Sequence, residues 1–192
     1  MKKETILVVV IALAVGVLIG VIVTNSKRDL AASAPASPPT ASAPLVNQQQ
    51  QTSVLEEIVA REPDNRNAWV RLGHNFFDSN QPMKAVNAYA KALELNGNDP
   101  DILTDQGVMY RRLGWFDKAI SNFEKAHTID KNHLQSLYNL GIVYRYDLKD
   151  FAKAKQVWEQ FIAIDPGSPG AKQVQKELDF LQSHPEMKNT VQ

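Results

Sequence analysis

Four histidines, His74, His127, His133 and His184, are the side chains of this 192-residue sequence best suited to proton transfer or metal binding near neutral pH. Their spacing supports neither. No pair stands four apart with a carboxylate between, the arrangement that puts two imidazoles and a base on one helix face. Cysteine is absent, which removes disulfides, thiolate zinc sites, iron–sulfur clusters, covalent haem attachment and thiol nucleophiles. There is no Gly-rich phosphate loop and no G-x-S-x-G elbow, nor a strand to carry either. Acidic pairs such as Glu56-Glu57 read as solvated faces. The sequence predicts no catalytic residue, no metal ligand and no cofactor, and the protein is expected not to be an enzyme.

What remains is a binding surface, and charge limits what it binds. The chain carries 21 Lys+Arg against 21 Asp+Glu. Residues 1–29 hold four basic and two acidic side chains, which leaves 17 basic against 19 acidic beyond them. A net −2 gives no field for gathering phosphate backbones, so nucleic acid is not an expected partner.

Thr5 to Thr24 reads TILVVVIALAVGVLIGVIVT, without one charged side chain. As a helix, Ile6 to Val23 would extend about 27 Å, close to the hydrocarbon thickness of a bilayer. A cleavable signal peptide is the competing reading. Its core is normally shorter, and the nearest small-residue site, Ala32-Ser33-Ala34, is followed by Pro35. The run is expected to be an uncleaved single-pass anchor. Lys2 and Lys3 flank one end and Lys27 and Arg28 the other, so the positive-inside balance is nearly even. A short basic start running directly into the apolar stretch favours a signal anchor. That puts the N-terminus in the cytoplasm and the bulk across the membrane, in the periplasm if the membrane is a bacterial inner membrane. Gly16 and Gly20 share a helix face and offer a seam for homodimerisation.

After the anchor, Ala31 to Pro44 reads AASAPASPPTASAP, and a Gln run follows. Such a segment cannot bury a core and predicts an extended tether. The remainder repeats itself. Gly73, Gly107 and Gly141 stand 34 residues apart. Around them lie Trp69-x-x-Leu72-Gly73-x-x-Phe76, Leu103-x-x-Gln106-Gly107-x-x-Tyr110 and Leu137-x-x-Leu140-Gly141-x-x-Tyr144. Each is followed by a second signature: Ala85-x-x-x-Tyr89-x-x-Ala92, Ala119-x-x-x-Phe123-x-x-Ala126 and Ala154-x-x-x-Trp158-x-x-Phe161. The third unit has one extra residue, expected in its turn between Tyr146 and Asp150. Both signatures follow the 3.6-residue period of amphipathic helices, and one helix pair cannot bury its own apolar face, so stacking is required.

These units resemble tetratricopeptide repeats, 34-residue helix–turn–helix modules that stack into a superhelix. The expected fold is all-α: a solenoid of about three repeats plus capping helices behind a transmembrane helix and linker. The predicted boundaries are a transmembrane helix over 5–24, a linker over 29–51 and an N-terminal capping helix over 52–65. Repeats follow over 66–99, 100–133 and 134–168, with a C-terminal capping helix over 169–184. The N-terminal cap is read from Ser53-x-x-Glu56, a capping box.

The resemblance implies a groove lined by the first helix of each repeat, with a protein or extended peptide as partner. By helical phase the groove should receive Asn67, Val70, His74, Phe77 and Asp78 from the first unit. Asp101, Thr104, Val108, Arg111 and Arg112 follow from the second, and Gln135, Tyr138, Ile142, Arg145 and Tyr146 from the third. His74, Phe77, Arg111, Arg112, Tyr138, Arg145 and Tyr146 are the candidate peptide-binding residues, because exposed aromatic and Arg side chains dominate binding hot spots. Chaperone-binding relatives hold a C-terminal carboxylate with Lys, Asn and Arg. Matching positions here carry Val70, His74, Gln135 and Asn139, so such an acidic tail is not expected. The function implied is a membrane-anchored scaffold or adaptor for cell-envelope assembly. Alternatives are a c-type cytochrome maturation factor handling apocytochrome, and a self-associating structural protein.

Overall fold

The computed structural model of the chain describes residues 43–184, and these are helical throughout, with no strand among them. The predicted transmembrane helix, its Gly16/Gly20 seam and most of the linker lie outside the described residues. No helix within them is long and apolar enough to cross a membrane.

Helix α1 is Ala43–Arg61, α2 Arg66–Asp78 and α3 Pro82–Leu95. The next pair is α4, Pro100–Arg112, and α5, Phe116–Ile129. Helix α6 is Leu134–Ile142 and continues as a π-helical segment, Val143–Asp147; α7 is Phe151–Ile164 and α8 Ala171–Ser183. First helices start on side-chain caps. Asn65, Asp99 and His133 accept from the backbone N–H groups of Ala68, Ile102 and Ser136. Pro82 and Pro100 occupy first-turn positions, where the missing N–H costs nothing.

Within each pair, close approach is set by glycine. A Cβ at Gly107 would lie 2.5 Å from Cε1 of Phe123, and Gly73 and Gly141 are pressed as tightly by Tyr89 and Trp158. Tyr89, Phe123 and Trp158 are fully buried. Each contributes about 2–3 kcal/mol of hydrophobic stabilisation. The motif's one polar member, Gln106, stands where Leu72 and Leu140 stand in the other units, and it is satisfied. Its Nε2 donates to Val86 O at 3.0 Å, and Asn122 Nδ2 donates to its Oε1 at 2.8 Å.

Each helix pair turns through a left-handed residue at the same place: Asn80 (φ 53°), Gly114 (φ 75°) and Lys149 (φ 59°). Only the second is glycine. Lys149→Gly is expected to raise stability by roughly 0.5–1 kcal/mol, read as a higher denaturant midpoint. Gly73 to Asn80 and Gly107 to Gly114 are each seven residues, whereas Gly141 to Lys149 is eight. The extra residue is therefore not in the turn between Tyr146 and Asp150. It is taken up inside the helix as the π-helical segment, because a widened turn keeps backbone groups bonded where a longer loop would expose them.

The ends differ from expectation at one point. Helix α1 starts at Ala43, so residues 43–51 of the predicted linker are helical. Ser53 is mid-helix, and its Oγ donates to Gln49 O at 3.2 Å and does not cap. The Gln run is a good helix former with no breaker after Pro44, which sits in the first turn. At the other end, Ala171, Val174 and Leu178 of α8 stand 34 residues after Leu137, Leu140 and Tyr144. The position matching Gly141 is exposed Gln175, which no second helix could approach closely. Helix α8 is thus a cap.

Candidate functional site

Polar contacts between successive first helices run from one end of the stack to the other. Arg66 of α2 pairs with Asp99 at the start of α4, and His74 Nε2 lies 3.2 Å from Asp105 Oδ2. Asp101 of α4 meets His133 at 3.0 Å, and Arg111 grips Asp147 with Nε at 2.5 Å and Nη2 at 3.2 Å. The first helices touch across repeats, and the second helices make no comparable contact. That asymmetry bends the stack with α2, α4 and α6 on its inner side.

This inner face holds His74, Phe77, Arg112 and Tyr138 as exposed or partly exposed side chains. Arg112 lies over Phe77, its Cζ 4.7 Å from the ring centroid, and its Nη1 reaches Asn80 Oδ1 at 3.3 Å. Tyr138 stands 6.5 Å, ring to ring, from Phe161, while its carbonyl accepts from the Trp158 indole at 3.3 Å. Arg111 is half-buried in its bidentate pair.

Two expected groove residues are drawn elsewhere. Arg145 is only 9% exposed, so it is not a free surface group. Its Nε is 2.8 Å from Glu177 Oε2 of α8, an ion pair off the hydrogen-bond axis, and its guanidinium is sandwiched between Tyr146 (4.9 Å) and Phe180 (4.5 Å). Tyr146 is exposed, but its hydroxyl donates to the same Glu177 carboxylate at 2.9 Å. The π-helical segment causes this: the added residue rotates the end of the helix toward α8. Thr104, also placed in the groove by helical phase, is fully buried.

The acids that neutralise the groove, Asp105, Asp147 and Glu177, are missing from the sequence reading. Only Asp105, 31 residues beyond His74, carried a signal: one repeat less one helical turn. It has a titration consequence. His74 is held above its ordinary 6.5, chiefly by its hydrogen bond to Asp105; burial opposes this, and the charges of Asp105, Asp78 and Asp99 add to it. A raised folded-state value means stability fully present below the unfolded value and lost as pH rises through the folded one. The stability difference between wild type and Asp105→Asn should therefore shrink between about pH 6 and pH 8, and stay small because His74 is half-exposed. Paired denaturant melts at the two pH values check it.

The outer side carries two clefts. One, of about 650 Å³, lies between α1 and α3 over Val59, Trp69 and Phe76. The other, of about 510 Å³, lies between α5 and α7 over Leu137, Leu140 and Val157. The matching place between α3 and α5 is filled by Asn122 and Gln106. Neither cleft receives a predicted site residue. Among the described residues no cluster of three His, Asp or Glu is placed to hold a metal ion.

Comparison with known proteins agrees with this architecture. Tetratricopeptide-repeat models match residues 67–99, 88–121 and 135–168. The human protein O-mannosyl-transferase TMTC3 is 30% identical over 91 residues, 47% of this chain but 10% of its own. Cytochrome c-type biogenesis protein CycH of Pseudomonas aeruginosa is 25% identical over 129 residues, 65% of this chain and 31% of its own. The chain thus spans less than a third of these relatives. The crystal structure of MamA protein superposes with a TM-score of 0.67 at 17% identity, over 74% of this chain and 76% of that one, a likeness of fold. The glycine–aromatic contacts at 34-residue spacing, the alternating helix pairs and these matches agree: residues 67–168 of the chain are built of tetratricopeptide repeats.

Proposed function

We propose that the inner face of the repeats binds a segment of a partner protein, and that residues 1–29 tether this module to a membrane, with the repeats on the far side from the cytoplasm. One observation carries the binding reading. The inner face presents side chains from three consecutive first helices, Val70, Val108, Tyr138 and Ile142, that are neither buried nor committed to a hydrogen bond. A stacked array of that kind fits one extended or helical segment across several repeats. Among the described residues no cluster of three metal-ligating side chains competes with it, and the transferase chemistry named for TMTC3 belongs to a protein of which this chain matches one tenth. The tether rests on the uncharged run from Thr5 to Thr24.

The CycH similarity favours one specialisation within this reading, the handling of an apocytochrome during c-type cytochrome assembly. Self-association through Gly16 and Gly20 is the structural alternative. Three measurements test the orientation, the specialisation and the groove. An alkaline phosphatase fused after Gln192 should be active, since it works only outside the cytoplasm; an inactive fusion reverses the orientation. Deleting the gene should lower haem-stained c-type cytochromes if the specialisation holds, and unchanged staining removes it. Arg112→Ala with Tyr138→Ala should lose partner recovery from native membranes while Lys125→Ala, on the outer α5, keeps it; equal recovery removes the groove.

A further inference from the structure

The inner face contains many charged residues, and their signs largely cancel. Helices α2, α4 and α6, with the π-helical segment, carry five arginines, four aspartates and no lysine. Arg66 is held by Asp99, Arg111 by Asp147 and Arg145 by Glu177, while Asp105 and Asp101 face the imidazoles of His74 and His133, which neutralise them only when protonated. Arg112 is spread on the Phe77 ring. Arg71, Asp78 and Arg112 have no ion pair among the described residues, and all three are exposed. A peptide carboxylate that paired with Arg66, Arg111 or Arg145 would have to displace an internal one, and exchange of one such pair for another yields little.

Between these charges lies an apolar strip. Val70, Val108, Tyr138 and Ile142 are each partly exposed and each pack from above onto the buried clusters beneath. Val108 touches both clusters and joins the two halves of the strip. With adjacent helices about 8–10 Å apart, the strip crosses three repeats over about 20 Å. Amides of Asn67, Gln135 and Asn139 border it without adding charge.

We propose, resting on the groove reading above, that the segment bound there is one of low net charge with an apolar face, seated on Val70, Val108, Ile142 and Tyr138, and not an acidic or a basic tail. Charge matching is the argument: a surface whose charges are paired or cancel in sign gains little from a ligand of either net charge. Burial of apolar area then drives binding, and salt has little to screen.

The test uses the full chain and three fluorescein-labelled peptides of about 18 residues, long enough for a helix of about 27 Å. One is an amphipathic Leu/Gln peptide, one is Glu-rich with a free carboxylate, and one is Lys-rich. The Leu/Gln peptide should bind at least tenfold more tightly than either other, with less than about a twofold change from about 50 mM to about 500 mM salt. Val108→Asp should weaken it at least tenfold. Because Val108 also touches the core, the salt series on the wild-type chain stands as an independent reading. Tighter binding of a charged peptide, lost in Val108→Asp, overturns the low-charge proposal and keeps the groove. Binding of the Leu/Gln peptide unchanged in a folded Val108→Asp chain overturns the groove itself.

Discussion

Gly107→Leu should destabilise the repeat domain by about 3 kcal/mol or more and lower its melting temperature by about 10 °C. A Cβ alone would stand 2.5 Å from Cε1, 2.9 Å from Cδ1 and 3.0 Å from Cζ of Phe123, and that ring is fully buried with no room to withdraw. Either the ring leaves its rotamer or α4 and α5 separate, and separation opens the contacts of both neighbouring pairs. Gly97→Ala is the control, because its Cβ would meet nothing nearer than Leu93 O at 3.4 Å. A calorimetric scan of both variants checks the claim, and a Gly107→Leu melt like that of Gly97→Ala would remove the packing account.

Arg145→Ala should cost about 3–5 kcal/mol, an effect that no exposed groove residue could have. The ion pair with Glu177 is almost dry, the two side chains being 10% and 12% exposed. Truncation leaves the Glu177 carboxylate with only Tyr146 and Gln173 beside it and empties the slot between Tyr146 and Phe180. The loss should fall on α8, seen as faster proteolysis and amide exchange over residues 171–183. Arg145→Met together with Glu177→Leu should recover most of it, since apolar replacement of both partners removes the stranded charge. If Arg145→Ala melts like wild type, the pair does not hold the cap.

The repeat units were legible because their signature is itself a contact: Gly73, Gly107 and Gly141 are small where Tyr89, Phe123 and Trp158 must lie. Helix phase follows from such pairs, which is why His74, Phe77, Arg112 and Tyr138 fall on the inner face. The misplaced residues trace to two causes. An insertion somewhere between Gly141 and Asp150 says nothing about where the backbone absorbs it; the π-helical segment places it before the turn and thereby sends Arg145 to Glu177. Long-range partners such as Asp147 for Arg111 lie on a different helix, at a spacing no helical period marks. The start of α1 was hidden for another reason. Gln48 to Gln51 favour a helix by propensity alone, and with no apolar period there is nothing to distinguish it from a tether.

The central claim is that a partner segment lies on the inner face, and site-directed photo-crosslinking tests it most directly. A photoreactive residue is placed at Val108, on the inner strip, or at Lys125, on the outer face of α5, in the full chain in its native cells. The account predicts a discrete adduct from position 108, traced by mass spectrometry to one low-charge segment of one protein, and none from position 125. Adducts equal at both positions, or confined to 125, would contradict it.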